Sequence, residues 1–267
     1  MTRRIRGLAM TLAALVAVVG WVVWNAHRPS KGHASALVPT DTTLRRDWLY
    51  FYPSHEPGTP KGFVALFGND IAFWGPHQDL GWRLADDGYS VVGIDVRKFL
   101  ATLPTNEPQR DSAFGVAMPD LIARTRHALK ADTLPVIVGG HSYGAELAFW
   151  IAAYRPPAHL VGVLSLNTRS TSHLFITAGD WLNEEASGPW TFSTIDAVRR
   201  MDPTIRVALL RGGHDPFRRH DPEFVAAGGA RVRRFEIPMA GHALSTMLLA
   251  GPIVSRAVRF LSDTARR

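Results

Sequence analysis

The sequence predicts an α/β fold, a mostly parallel sheet with helices on both faces. Short apolar runs rich in β-branched residues alternate with segments whose apolar residues recur at helical spacing, and glycines and prolines separate them. The chain has 267 residues, a length at which α/β folds form one domain, and it contains no internal repeat. In such a sheet, functional residues lie at the carboxyl ends of the strands.

The first part of the predicted sheet comes from residues 47–96. Asp47–Pro53 and Gly62–Phe67 are strand-like and are separated by a turn rich in proline and glycine. A short helix over Asp79–Asp87 ends at the glycine that follows it. Val91–Val96 is an apolar run typical of a buried strand, and Phe114–Lys130 carries a helical apolar stripe.

Residues 161–265 complete the predicted sheet. Val161–Leu166 and Ile205–Leu210 are further strands. Arg231–Ile237 is the last strand, and its arginines indicate an edge position. Ala243–Ala265 is predicted as a closing helix with a weak point at Gly251–Pro252.

A long insertion, Asn167–Thr204, separates two of these strands. It carries the aromatic residues Phe175, Trp181, Trp190 and Phe192. A connection of this length is typical of a cap or lid over a site. An ordinary helical connection whose aromatic residues pack on the core is equally compatible with the pattern.

Gly140–Gly144 (GHSYG) is the most informative motif of the chain. It lies between an apolar strand, Pro135–Gly139, and a predicted helix, Tyr143–Tyr154. A G-x-S-x-G sequence between a strand and a helix predicts a sharp, strained turn that exposes the hydroxyl of Ser142 above the sheet edge. The alternative is a plain strand–helix turn with a surface serine.

A serine becomes nucleophilic when a histidine takes its proton and a carboxylate orients that histidine. In the α/β-hydrolase arrangement these residues follow one another as serine, acid and histidine, each at the end of a strand. Asp215 follows the strand that ends at Leu210, and His242 follows the last strand. The sequence therefore predicts the triad Ser142, Asp215 and His242 in an α/β-hydrolase fold.

Other residues compete for two of these roles. His214 adjoins the predicted acid and is an alternative base, whereas Asp95 and Asp202 are alternative acids. We expect His141 to be a packing or supporting residue within the turn. Nothing in the sequence places the remaining histidines of the domain near the predicted site. We therefore predict them at the surface: His77, His127, His159, His173 and His220.

The tetrahedral intermediate of acyl transfer needs two N–H donors for its oxyanion. We predict the backbone N–H of Tyr143, at the positive end of its helix, and that of Asn69, in the loop after the Gly62–Phe67 strand. Asp70 adjoins this loop and is predicted either to cap a helix or to receive a cationic group of the substrate.

No cofactor or metal is expected. The chain contains no cysteine, which excludes disulfides, thiolate metal sites and a cysteine nucleophile. No pair of histidines four residues apart with a glutamate is present, so a zinc hydrolase has little support.

Net charge is concentrated at the N-terminus. The formal charge is +7, of which residues 1–31 contribute +5 and the remaining chain +2. The near-neutral domain does not predict a nucleic-acid partner.

Leu8–Trp24 is an uncharged stretch that follows three arginines and spans roughly 25 Å as a helix. Residues 1–27 are therefore predicted as a transmembrane anchor or signal segment, 28–40 as a tether and 41–267 as the hydrolase domain. A cleavage site at Ala34–Ala36 lies about ten residues beyond the apolar run, which favours an uncleaved inner-membrane anchor with the domain in the periplasm.

Several stretches together resemble the VirJ/AcvB group of α/β-hydrolases, virulence-associated bacterial proteins of the periplasm. The similarity runs over roughly residues 62–247 and includes the following segments: Phe67–Asp70 with Trp74, Gly88–Asp95, Gly140–Glu146, Phe175–Leu182 and Pro238–His242. Two segments depart from the family pattern, Val96–Leu100 and Gly213–Pro216, although the triad residues are retained.

The resemblance implies hydrolysis of aminoacyl-phosphatidylglycerol, with removal of lysine or alanine from the lipid headgroup. Asp70 would then pair with the amino group of the aminoacyl ester, and we expect Trp74 and Trp181 to contact substrate as well. A general carboxylesterase or thioesterase is the nearer alternative. An idle hydrolase fold that serves as a periplasmic docking or chaperone module is an alternative of another class.

Overall fold

The computed structural model describes residues 10–17, 20–21, 37–182, 184–243 and 251–263. Residues 10–17 and 20–21 are helical and belong to the predicted apolar segment Leu8–Trp24, the rest of which lies outside the described residues. Within the described ranges, no helix has both the length and the apolar character needed to cross a bilayer.

The domain is built on a seven-stranded sheet in the order β1-β3-β2-β4-β5-β8-β9. All neighbouring strands are parallel except β1 and β3, which pair antiparallel. A separate two-stranded antiparallel ribbon joins β6 and β7. The strands are β1 Leu49–Tyr52, β2 Gly62–Phe67, β3 Tyr89–Ile94, β4 Val136–His141, β5 Leu160–Leu166, β6 Thr171–Ser172, β7 Phe192–Ser193, β8 Arg206–Gly212 and β9 Val232–Ile237.

Helices cover both faces of the sheet. In the folded domain they are α1 Gly75–Asp86, α2 Val96–Leu100, α3 Glu107–Ala128, α4 Tyr143–Tyr154, α5 Ala178–Trp181, α6 Thr194–Arg200, α7 Asp221–Gly228 and α8 Gly251–Ser262. Strands β2, β3 and β4 are buried along their whole length, as expected for parallel strands that are covered on both sides.

Two apolar clusters lie on opposite faces of the sheet. The larger contains residues of α3, α4 and α6, including Phe114, Phe149 and Val198. The smaller contains residues of α1 and α8, including Leu84 and Val258. The predicted α/β architecture is confirmed. The edge position of the last strand is confirmed as well, because β9 ends the strand order and its residues Arg233, Arg234 and Glu236 are exposed.

Helix starts differ most from the sequence prediction. Helix α3 begins at Glu107 rather than at Phe114, because the side chain of Asn106 accepts a hydrogen bond from the Gln109 N–H at 3.0 Å and caps the helix. Its first turn carries no large apolar residue, so apolar spacing gave no sign of it. The closing helix α8 is described over Gly251–Ser262, and the first residues predicted for it, 244–250, lie outside the described residues.

The surface placement predicted for His77 is wrong. Its side chain lies in the first turn of α1, fully buried between Phe73 and His141. The backbone N–H of Trp74 donates to its Nδ1. His173 is also partly buried, within 3.6 Å of Asp180, whereas the predicted surface residues His127 and His159 are exposed.

Candidate active site

The turn between β4 and α4 holds Ser142 in a backbone conformation that non-glycine residues rarely adopt, with φ 52° and ψ −120°. Close backbone contacts surround this turn. A Cβ on Gly144 would lie 2.0 Å from the carbonyl oxygen of Gly68, and a Cβ on Gly140 would lie 2.5 Å from the carbonyl carbon of Gly144. The backbone around the turn therefore leaves no room for a side chain at either Gly140 or Gly144.

Ser142, His242 and Asp215 form a continuous hydrogen-bonded chain. The hydroxyl of Ser142 donates to Nε2 of His242 at 2.9 Å. The Nδ1–H of His242 donates to Oδ1 of Asp215 at 3.1 Å. Because a carboxylate only accepts, Asp215 fixes the tautomer in which Nε2 is free to take the serine proton. The structure thus brings together the three residues predicted as the triad.

A buried arginine supports the acid of this chain. Arg211, in β8, donates from Nη1 to Oδ2 of Asp215 at 2.9 Å and from Nε to Asp221 at 2.8 Å. Burial raises the pKa of Asp215, but the hydrogen bond from His242, the charge of Arg211 and the Phe217 N–H outweigh it and leave the pKa below its usual value. Asp215 is consequently held as the carboxylate.

The predicted oxyanion donors belong to the start of α4 and to the loop that packs against it. Tyr143 is the first residue of the helix, so helical hydrogen bonding leaves its N–H without a partner. The loop that carries Asn69 packs on this turn, where Gly68 approaches Gly144. The side-chain oxygen of Asn69 accepts from the N–H groups of Ile71 and Ala72, both at 3.1 Å, and thereby fixes the shape of the loop.

Two residues outside the predicted triad contact the backbone of its histidine. The Nε2–H of His141 and the Nδ2–H of Asn167 each donate to the carbonyl oxygen of His242 at 2.8 Å. The side-chain oxygen of Asn167 accepts from the N–H of Gly212 at 2.9 Å. Asn167 directly follows β5, and this position at a strand end was the available sequence signal for it.

Known protein structures share this architecture. No family model matches the chain, and no curated protein matches its sequence. Solved structures do match the fold. The apo form of esterase 2 from Thermogutta terrifontis has a TM-score of 0.58 at 14% identity, over 86% of this chain and 97% of that one. A soluble variant of monoglyceride lipase from Saccharomyces cerevisiae, in complex with a substrate analog, has a TM-score of 0.54 at 13% identity, over 85% and 97%. Proline iminopeptidase from Mycobacterium smegmatis has a TM-score of 0.57 at 16% identity, over 81% and 94%.

The chain has the α/β-hydrolase fold. In this fold the nucleophile, the acid and the histidine come in this order along the chain, each after a strand, and Ser142, Asp215 and His242 follow β4, β8 and β9. The competing residues have other positions. Asp95 caps α2 by accepting from the Lys98 N–H at 3.2 Å, and the side chain of His214 is exposed.

The insertion of this hydrolase fold follows β5 and contains the ribbon β6–β7, the short helix α5 and the crossover helix α6. The insertion therefore combines the two predicted possibilities, a cap and an ordinary helical connection. Its final part is an ordinary crossover helix that packs on α4, whereas residues 173–191 surround a cavity of about 400 Å³. Phe175 and Trp190 line this cavity, but Trp181 does not.

A buried ionic cluster joins the insertion to the turn helix. Arg169 donates from Nε and Nη2 to the two carboxylate oxygens of Glu146 at 2.8 and 2.9 Å, and from Nη2 to Asp180 at 2.6 Å. All three side chains are buried. Glu146 lies one helical turn after Ser142, so the cluster connects α4 directly to α5. Residues far apart in sequence form it, and no sequence signal indicated it.

The three predicted substrate residues have different surroundings. Asp70 is buried, and its carboxylate has no hydrogen bond or ion pair to another residue in the described chain. Burial raises the pKa of Asp70 and the nearby charge of Asp180 adds to this, although the charge of Arg169 opposes the shift. Trp74 is half-buried beside His77. Trp181 is exposed, with the guanidinium of Arg97 over its ring at 5.9 Å.

The described ranges contain no group of three or more His, Asp or Glu side chains that could hold a metal ion. The reacting groups that the site offers are a serine hydroxyl, an oriented imidazole and backbone donors. This set is suited to acyl transfer.

Proposed function

We propose that the protein is a serine hydrolase that cleaves ester bonds. The hydrogen-bonded chain from Ser142 through His242 to Asp215 is the observation that carries this proposal. The structural neighbours named as an esterase and a lipase are consistent with it.

In the proposed reaction, Oγ of Ser142 attacks the carbonyl carbon of the ester while Nε2 of His242 takes the hydroxyl proton. Asp215 stabilises the imidazolium, and the N–H groups of Tyr143 and Asn69 stabilise the oxyanion. The tetrahedral intermediate collapses as the imidazolium gives its proton to the leaving alcohol. Water then attacks the acyl-enzyme with His242 as the base, which releases the acid and restores Ser142.

We further propose a lipid substrate, the aminoacyl ester of aminoacyl-phosphatidylglycerol, for a protein tethered to the inner membrane with its domain in the periplasm. Exposed apolar side chains support this, because they belong to segments that follow the carboxyl ends of the strands, the edge at which Ser142 lies: Ile71, Trp181, Leu182, Trp190 and Met239. Exposed apolar patches mark sites of interaction with ligands or membranes, and tryptophan suits a bilayer interface.

Asp70 supports an aminoacyl group in particular. A buried carboxylate without a partner is unfavourable until a cation approaches it. The oxyanion loop carries Asp70 beside the turn that holds Ser142, so an ammonium group near the scissile ester would supply that cation.

The test compares wild-type full-length protein with Ser142→Ala. The substrates are vesicles of lysyl-, alanyl- and unmodified phosphatidylglycerol and the soluble ester p-nitrophenyl acetate. We expect the wild type to hydrolyse the aminoacyl lipids and the variant to lose activity by at least about 10⁴-fold. Turnover of soluble esters or thioesters alone would support a general carboxylesterase or thioesterase. No turnover by folded wild type would contradict the enzymatic proposal and leave the docking module.

Replacing the proposed amine-binding carboxylate tests the substrate. Asp70→Asn removes the charge and keeps the shape, so we expect kcat/KM on lysyl-phosphatidylglycerol to fall by about 10- to 100-fold, the range of a hydrogen bond to a charged group. Activity on p-nitrophenyl acetate should change by less than about threefold, since that ester carries no cation. Asp202→Asn is the matched control, because the exposed Asp202 accepts from the Thr204 N–H at 2.8 Å and Asp215 holds the acid position on His242. Equal losses on both substrates would contradict the role of Asp70.

A further inference from the structure

The predicted base of the triad lies on a segment without regular structure. His242 follows the last residue of β9, Ile237, by five positions, and no helix or strand of the described chain contains it. Within this segment Met239 adopts a positive φ of 59°. The side chain of His242 accepts a hydrogen bond from Ser142 and donates one to Asp215. A rotation of the backbone would move the ring relative to both.

Two buried side chains fix the backbone at this point. The carbonyl oxygen of His242 accepts from Nε2–H of His141 and from Nδ2–H of Asn167, both at 2.8 Å, which occupies both of its lone pairs. His141 is the neighbour of Ser142 in sequence, and Asn167 also holds the N–H of Gly212, the last residue of β8 before Asp215. The two donors therefore connect the base to the strand ends that carry the nucleophile and the acid.

We infer that His141 and Asn167 are positioning residues, which clamp the carbonyl group of His242 and so set the distance between its imidazole and Ser142. This inference rests on the proposed ester hydrolysis. Proton transfer requires the two groups to remain within hydrogen-bond distance, and a displacement of about 1 Å reduces rates by about 100-fold. The clamp acts through His242 and does not touch the substrate.

The choice of histidine at position 141 also has a physical reason. Its ring is fully buried beside His77 and His242, at centroid distances of 5.6 and 5.7 Å. Burial lowers the pKa of His141 to about 3, so the ring stays neutral, with its proton on the nitrogen that faces the carbonyl. A neutral donor holds the backbone without placing a second positive charge beside the imidazolium that forms on His242.

The test uses full-length protein, p-nitrophenyl acetate and a fluorophosphonate that labels Ser142. Three variants separate the contacts. His141→Phe removes one donor, His141→Gln restores an N–H at a similar position, and Asn167→Gly removes the other donor while tolerating the positive φ of 52° at this residue. The measurements are kcat, KM, the rate of labelling and the fraction of protein that is finally labelled.

We expect His141→Phe and Asn167→Gly to lower kcat by about 10- to 100-fold with little change in KM, and to slow labelling in parallel while all molecules are still labelled. His141→Gln should recover most of the rate. If both donor-free variants keep the wild-type kcat, or if a smaller labelled fraction explains the whole loss, the clamp is contradicted while the proposed ester hydrolysis stands. A wild type that neither turns over the ester nor reacts with the fluorophosphonate would overturn the proposed function, and the clamp with it.

Discussion

Ser142 is held in its unusual backbone conformation by contacts that leave no room for side chains at the neighbouring glycines. The tightest of these is the approach of the Gly68 carbonyl to Gly144. This approach brings the loop that carries Asn69 against the start of α4, so the same contact shapes the turn and the proposed oxyanion site. We therefore expect the contact between Gly68 and Gly144 to affect both the stability of the turn and the proposed activity.

The variant Gly144→Ala tests this contact. The added methyl would lie 2.0 Å from the Gly68 oxygen and 2.6 Å from that of Phe67, so the backbone must shift. We expect the free energy of unfolding to fall by about 3 kcal/mol in urea titrations, and hydrolysis to fall with it. Gly213→Ala is the matched control, because its Cβ would meet Glu236 at an ordinary 3.4 Å. Similar stability of the two variants would show that the turn can relax.

At the scale of single residues, the sequence predicted the triad residues that follow strands and missed the roles of Arg211 and Asn167. Ser142, Asp215 and His242 each follow an apolar run, which made their convergence predictable. Arg211 was missed because it lies inside β8, where a charge breaks the apolar pattern without indicating its partner. The contact of His141 with His242 depends on the path of a loop, which sequence spacing does not determine.

Helix α4 and the insertion are joined by the buried cluster of Arg169, Glu146 and Asp180. Breaking such a cluster leaves charges buried without partners, which is far more destabilising than loss of an exposed pair. The cluster therefore fixes the short helix α5 on the turn helix rather than leaving the insertion to move independently.

We expect Arg169→Met to lower the free energy of unfolding by about 3–5 kcal/mol, since Glu146 and Asp180 would lose their shared cation. The double variant Arg169→Met/Glu146→Leu should regain part of this loss. Arg199→Ala is the control, because Arg199 pairs with Asp196 at a surface where the side chains are 58% and 64% exposed, and it should change stability by less than about 1 kcal/mol. Equal effects of the two single variants in urea titrations would contradict a structural role for the cluster.

At the scale of elements, strands were located better than helix starts. The strand Gly62–Phe67 and the helix Tyr143–Tyr154 have the predicted bounds, because apolar pattern and turn residues coincide there. Helices α1 and α3 begin earlier than their apolar stripes, at Gly75 and Glu107, since a proline in the first turn of each favours helix where the sequence is polar.

Across the whole molecule, buried histidines link folding stability to pH. His77 and His141 are enclosed between helix α1 and the active-site turn. Burial lowers the pKa of both rings, that of His141 to about 3. In the unfolded chain a histidine titrates near about 6.5. Below that pH the unfolded state binds more protons, and stability is lost as the pH falls toward the folded-state pKa.

Each such histidine should lower the free energy of unfolding by about 2 kcal/mol between pH 7 and pH 5. In His77→Gln the pH dependence should therefore be smaller than in wild type by that amount, as measured by urea titration at the two pH values. His127→Gln is the control, since the His127 side chain is 83% exposed. If His77→Gln keeps the pH dependence of wild type, as the control should, the ring of His77 must be protonated in the folded protein.

The overall architecture was predictable because strand and helix patterns alternate regularly, and alternation requires a parallel sheet with helical connections. The position of β1 was not. Strand β1 pairs antiparallel with β3 at the sheet edge. It lies there because β2 occupies one side of β3 and leaves the other side open for pairing. Strand order depends on such connections, which apolar patterns do not encode.

The ribbon β6–β7 holds Thr171 opposite Ser193, so the two ends of the intervening stretch lie side by side. Strands in such a ribbon are about 5 Å apart, whatever the length of chain between them. Residues 173–191 are thus a segment that protein engineers can exchange for a longer or shorter one without moving the sheet, provided that an acidic residue remains opposite Arg169. The same arrangement would let this segment change in length while Ser142, Asp215 and His242 keep their geometry.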